Sequence, residues 1–183
     1  MRFNHCLVAL AATLAVASPA FAQTTPTPTP TPPPVTDTAT ALARGLVLQP
    51  LTLTKDEDLD FGTILASTVL GDVTINPNDG DRTVTGGVTE VTANPGGRAV
   101  FVGAGTVNQQ VTLTLTPPAD NFLLSAANDK ILVSDLRFDT GGATRTIGTS
   151  GVFTVGVGGT FEIAAGQPNG EYEADFSVTA EYP

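Results

Sequence analysis

The chain has 183 residues, 18 of them acidic and 8 basic, for a formal net charge of −10, with one Cys, one His, one Met and no Trp. This acidity argues against nucleic acid as a partner, because phosphate backbones are held by clustered Lys and Arg. It argues equally against anionic membrane surfaces and favours solubility.

The first segment, Met1 to Ala22, reads as a secretory signal peptide. Arg2 gives the positive n-region, Cys6 to Val16 is an apolar run broken only by Thr13, and Ala20-Phe21-Ala22 puts small residues where a signal peptidase reads them. Cleavage is expected between Ala22 and Gln23. The apolar run is shorter than the roughly 20 residues a transmembrane helix needs, and no later segment is longer. The expectation is therefore export to the periplasm, the cell surface (as part of a fimbrium) or the medium, with no membrane insertion after signal removal. Cleavage would take away Arg2, His5, Cys6 and Met1, leaving seven basic residues against eighteen acidic ones. Such a product has no thiol, so its fold must rest on a hydrophobic core without disulfides.

Residues 23–38 form a Pro/Thr-rich linker. Thr24 through Pro34 alternates Thr and Pro and ends in Pro32-Pro33-Pro34, which forbids helix and sheet because Pro lacks the N–H and fixes φ. The expectation is a disordered spacer of polyproline II character at ~3.1 Å per residue, about 30 Å in reach.

From residue 39 to 183 the texture is that of one β-domain. Leu46–Leu48 precedes Pro50, Leu51–Thr54 follows it, and Pro50 marks an edge or bulge between them. Further strands are predicted at Leu59–Ile64, Asp72–Ile75, Ala99–Val102, Val111–Leu115, Ile131–Phe138, Val152–Val155 and Thr160–Ile163. The last is the clearest: from Glu171 to Tyr182 every even position is apolar and every odd one polar, the period of a half-buried strand. Asn78-Asp79-Gly80, Gly86-Gly87, Asn94-Pro95-Gly96-Gly97, Pro117-Pro118, Gly141-Gly142, Gly158-Gly159 and Pro168-Asn169-Gly170 read as turns. Ser125–Asn128 is at most one helical turn. Many short strands joined by such turns imply an all-β sandwich or barrel, with Phe61, Phe101, Tyr172 and Phe176 at core parity.

Residues that carry chemistry are scarce. Without His and Cys beyond the signal, triads and the usual nitrogen and sulfur zinc sites are excluded. Asp58 with Asp60, and Glu171 with Glu173 and Asp175, share strand faces, but on the solvated side. No catalytic, metal or cofactor site is expected, and the protein is not expected to be an enzyme. Asn76–Asp81 offers clustered oxygens of the kind calcium takes, without the bidentate Glu a calcium loop ends on; a tight hairpin turn needs the same residues. Gly156-Val157-Gly158-Gly159 is no phosphate loop, since no Lys-Ser/Thr follows.

Two resemblances add to this reading. Pro50-Leu51-Thr52-Leu53-Thr54-Lys55 with Asp58-Leu59-Asp60-Phe61-Gly62-Thr63, and Val157 through Ile163 with Gln167 through Tyr172, resemble the opening and close of a bacterial domain-of-unknown-function family, DUF4402. The resemblance spans roughly Leu46 to Tyr182 and implies a secreted, immunoglobulin-like (pilin-like) antiparallel β-sandwich related to fimbrial subunits. The end of the chain is also similar to chaperone–usher pilins: Tyr182 is penultimate and Gly170 is fourteenth from Pro183. That likeness implies a terminal strand (Gly170, Tyr172, Ala174, Phe176, Val178, Ala180 and Tyr182) that lines a groove, is read by a periplasmic chaperone, and is completed by a strand from another chain. It also implies an outer-membrane usher and self-association. The departures are the missing pilin disulfide and a Pro-rich leader that cannot enter a ladder, so a donor would lie in Thr38–Ala43 or Leu46–Leu53. The expected function is a non-catalytic structural subunit of a pilus-like or surface appendage. The alternative is a tethered binding module for a glycan or a protein.

Overall fold

The computed structural model describes residues 36–183. The expected signal peptide, the cleavage point between Ala22 and Gln23, and the spacer as far as residue 35 lie outside the described residues. All the sheets belong to a compact unit spanning Gly45–Pro183.

This unit is all-β and wholly antiparallel. The large sheet contains β1 (Thr52–Glu57), β3 (Gly71–Ile75), β4 (Arg82–Val84), β6 (Ala99–Ala104), β8 (Phe122–Ser125), β9 (Lys130–Phe138), β11 (Val152–Ile163) and β12 (Tyr172–Glu173). Three strands form a smaller sheet in the order β10 (Thr144–Thr146), β7 (Gln110–Thr116), β13 (Ser177–Glu181). A short ribbon pairs β2 (Ile64–Leu65) with β5 (Thr89–Glu90).

The spine is β11, twelve residues long. On one edge it pairs with β9; on the other it holds two neighbours in succession, β6 along Val152–Val157 and β3 along Gly159–Ile163. Its odd residues face the core throughout. Phe153, Val155 and Val157 enter one cluster with Ala99, Phe101, Val111, Leu113 and Ile147, between the large and small sheets. Phe161 and Ile163 enter a second with Val73, Ile75, Ile131 and Val133, where Phe161 stacks on Phe61. Leu59 and Leu136 touch both. Fully burying one such side chain contributes roughly 1.5–3 kcal/mol, so this face carries much of the stability.

The opposite face of β11 explains its glycines. Gly156 and Gly158 are buried, and a Cβ on either would overlap backbone: the Pro77 carbonyl oxygen at Gly156, the Ile75 carbonyl oxygen and Pro77 nitrogen at Gly158. The chain leaving β3 crosses over β11 there, vacating the ladder for β6. The turn expected at Gly158-Gly159, between separate strands 152–155 and 160–163, is therefore corrected to one continuous strand. Glycine here serves close backbone approach rather than reversal.

Other expectations are corrected too. Leu46–Leu48 joins no ladder, and Val47 is 93% exposed; the ladder starts only after Pro50, which cannot donate to it. Leu59–Ile64 holds a single bridge, Asp60 to Gly97, before β2. Gly62 turns left-handed (φ 69°), its amide donating to Asp60 Oδ1 at 2.7 Å. Ser125–Asn128 is a turn closed by the Ser125 hydroxyl, which accepts the amides of Ala127 and Asp129 at 3.2 and 3.1 Å. Strands β4, β5, β8 and β10 were not foreseen.

Arg82 pins the loops beside the second cluster. Its side chain is 2% exposed. Its guanidinium donates to the carbonyls of Phe61 (3.0 Å), Thr63 (3.2 Å), Asn94 (3.1 Å) and Val91 (3.0 Å). The Thr63, Asn94 and Val91 carbonyls also accept the amides of Val91, Thr63 and Asn94, so the guanidinium adds a second donor to these three and supplies one to Phe61. Arg145 does related work at the small sheet, ion-paired with Asp139, whose other carboxylate oxygen accepts the Gly156 amide at 2.8 Å.

Two stability predictions follow from this packing. Gly158→Ala should lower unfolding free energy by about 3 kcal/mol or more, because backbone must move, whereas Gly148→Ala, with open space around it, should change it by less than about 0.5 kcal/mol. Arg82→Met should cost roughly 2–3 kcal/mol by removing a charged donor's hydrogen bonds to four loop carbonyls. Urea unfolding of the purified protein checks both.

Candidate functional site

The residue pattern singles out the C-terminal strand, and the structure divides it. Tyr172 and Glu173 form β12, paired with β8 in the large sheet, while Ser177–Glu181 form β13, paired with β7 in the small one. Residues 174–176 cross between the sheets, a bend of the kind that makes the corner of packed sheets. The expected single strand from Glu171 to Tyr182 is corrected accordingly.

The division separates the seven predicted residues. Tyr172 packs against the second cluster, its hydroxyl donating to the Pro168 carbonyl and accepting from Gln167 Nε2, both at 2.8 Å. Gly170 lies beside Ser125 and Tyr172, and Ala174 is exposed. Phe176, Val178, Ala180 and Tyr182 come together on one face, half-buried against the first cluster. Phe176 meets Phe101 edge-on, with ring centroids 6.1 Å apart and planes at 80°.

These four face the core at the rim of the two sheets. Among the described residues β13 pairs only with β7, so its other edge is open. Across from it, β1 ends the large sheet, and its Leu53, with the preceding Leu51, packs on the same cluster. Edge strands are usually blunted by Pro, Lys or a bulge. β1 has such features, a register slip between Lys55 and Glu57 within a charged run. β13 has none: it reads Ser-Val-Thr-Ala-Glu and stays in register along its length.

The end of β13 is fastened to the chain ahead of β1. The Tyr182 hydroxyl accepts the Thr106 amide at 2.8 Å and donates to the Gln49 carbonyl at 3.1 Å, while the Gln49 amide donates to Thr106 Oγ1 at 2.6 Å. A Cβ on Gly105 would overlap that hydroxyl, so a larger residue there would displace the Tyr182 side chain. Gln49 and Thr106 carry no local signal; both join the site through contacts far apart in sequence.

The remaining candidates are dispersed. Glu171, Glu173 and Asp175 are exposed. In the Asn76–Asp81 loop the Asn78 and Asp81 amides donate to Asn76 Oδ1 and Asp79 Oδ1, each at 3.0 Å, closing the turn between β3 and β4. Among the described residues no group of three or more His, Cys, Asp or Glu side chains is placed to hold a metal, and no helix is long and apolar enough to cross a membrane. A polar cleft of about 490 Å³ lies between Glu57, Asp79, Asp81, Arg98 and Val100.

The fold and this rim define an antiparallel all-β domain with an open edge strand. The chain belongs to the DUF4402 family, a domain of unknown function whose model matches residues 51–182, from the residue before β1 to the tyrosine that fastens β13. No curated protein and no solved structure matches it.

Tyr182→Phe keeps the ring and removes both hydroxyl bonds. It should cost about 1–2 kcal/mol and selectively accelerate hydrogen exchange at the Thr106 amide.

Proposed function

We propose that this protein is a non-catalytic, exported structural subunit of a pilus-like or surface appendage, with an immunoglobulin-like, pilin-like β-sandwich that assembles by β-strand addition. The observation that carries this reading is the open edge of β13 above a row of half-buried apolar side chains. An edge strand offers unpaired N–H and C=O groups to an incoming strand, and pockets for alternate side chains give the pairing its specificity. Phe176, Val178, Ala180 and Tyr182 have the inward parity of core residues yet stay half-buried, as expected where one more strand would complete the cover. The packing of the large sheet on the small one around a shared core supports the sandwich reading.

The same reading takes the segment before residue 39 as signal and spacer, and takes a periplasmic chaperone and an outer-membrane usher as partners during export. A chaperone strand on β13 would protect that open edge until a subunit replaced it.

Hydrogen exchange on the full chain, purified after export, tests the reading. β13 should exchange faster than β7 in dilute monomer and gain at least about tenfold protection as concentration drives association. A protein that stays monomeric at all concentrations, with β13 as protected as β7, would overturn it.

A further inference from the structure

Of the large apolar side chains exposed in the unit Gly45–Pro183, all but Leu124 lie at the two ends of β11. Leu46, Val47, Val107 and Val152 lie where β11 begins. Val152 opposes Ala104 at the end of β6, and a Cβ on Gly151 would meet Val107 at 3.9 Å. Thr106 Oγ1 accepts the amide of Gln49, two residues after Val47. Leu65, Val69 and Leu70 lie where β11 finishes. There Ile163 opposes Gly71, the residue after Leu70, and the Ser67 carbonyl accepts the Gly166 amide at 2.7 Å. Twelve residues of β11 hold the two ends roughly 35 Å apart at ~3.3 Å per residue.

The loops that build these ends carry no charge. Residues 45–54, 99–119 and 146–152 hold no Asp, Glu, Lys or Arg, and neither do 63–71, 83–89 or 163–170. Glu181 stands near the first end, beside Tyr182. Asp129 and Lys130, of opposite sign, stand near the second, where the Lys130 carbonyl accepts Gln167 Nε2 at 3.1 Å. A chain of net charge −10 repels its own copies, so a second copy approaches most easily where carboxylates are absent. At these ends it also removes exposed apolar surface from water.

We propose that copies of this chain pack head to tail, the Leu46, Val47, Val107 and Val152 end of one on the Leu65, Val69 and Leu70 end of the next. This contact is separate from the open edge of β13 and goes beyond the strand-addition reading. The two surfaces differ and face opposite ways, so the contact does not close and copies extend in a row. One kind of interface then covers both ends of every copy, whereas a two-fold dimer leaves one end of each in water. Seven side chains fall short of the ~800 Å² per partner of a stable interface, so the contact is weak, with a dissociation constant on the order of 100 µM.

Hydrogen exchange and sedimentation of the full chain, purified after export, test this between about 10 and 300 µM. Amides of residues 65–70 and 106–108 should both gain at least about threefold protection as concentration rises. Val69→Asp or Val47→Asp, each at an exposed position that the fold tolerates, should abolish the gain at both ends when studied alone; Leu65→Asp and Val107→Asp supply a second variant at each end. Mixed one to one, Val47→Asp and Val69→Asp each offer one sound end. Protection should return to 65–70 of the first and 106–108 of the second, with no end-to-end species longer than a dimer. Protection that persists at 65–70 in Val47→Asp alone, or at 106–108 in Val69→Asp alone, would mean that like ends pack and would overturn the head-to-tail contact. So would a mixture in which no protection returns. Association that protects β13 and neither end would overturn this contact and leave strand addition standing; protection of both ends with β13 exchange unchanged would do the reverse.

Discussion

The structure depends on the glycine-faced middle of β11. A strand ordinarily keeps one neighbour on each edge. β11 keeps two in succession on the same edge, and it does so because Gly156 and Gly158 let the chain leaving β3 cross directly over it. With side chains at those positions the crossing backbone would be lifted off the face. β3 and β6 could then not share the edge, and the clusters that β11 joins would lose their common wall.

That long strand also sets the division of the core. Its odd residues run from Phe153 to Ile163 along one face, feeding one cluster beneath the small sheet and another beside the Arg82-pinned loops. The C-terminal segment follows the same division. Tyr172 seals one cluster, the chain crosses at residues 174–176, and Phe176 to Tyr182 cover the other incompletely. The cover is incomplete because this last element is a single edge strand, held at one end through Tyr182.

Several elements were legible in the residues because their signals are local. Alternation over 111–115, and runs rich in β-branched and aromatic residues at 99–102 and 131–138, mark strands, and those strands are present. The even parity of Phe176, Val178, Ala180 and Tyr182 correctly placed them on the inward face. Other signals were local but ambiguous. Gly158-Gly159 has the composition of a turn and the position of a crossing, and only the neighbouring backbone distinguishes the two. β4, β5, β8 and β10 are two to four residues long, too short for a period to show, and they exist because a longer strand lies beside them.

The sequence by itself determined the all-β class, the inward face of the terminal strand and the scarcity of catalytic groups, because each follows from residue type or from a period of two. Tertiary structure alone decided that the terminal strand bends from one sheet to another, leaving Gly170, Tyr172 and Ala174 apart from the row on β13. It alone brought Gln49 and Thr106 to Tyr182. Parity says which way a side chain points and nothing about which strand its backbone will pair with; that choice is made between segments distant in the chain, where no local pattern reaches.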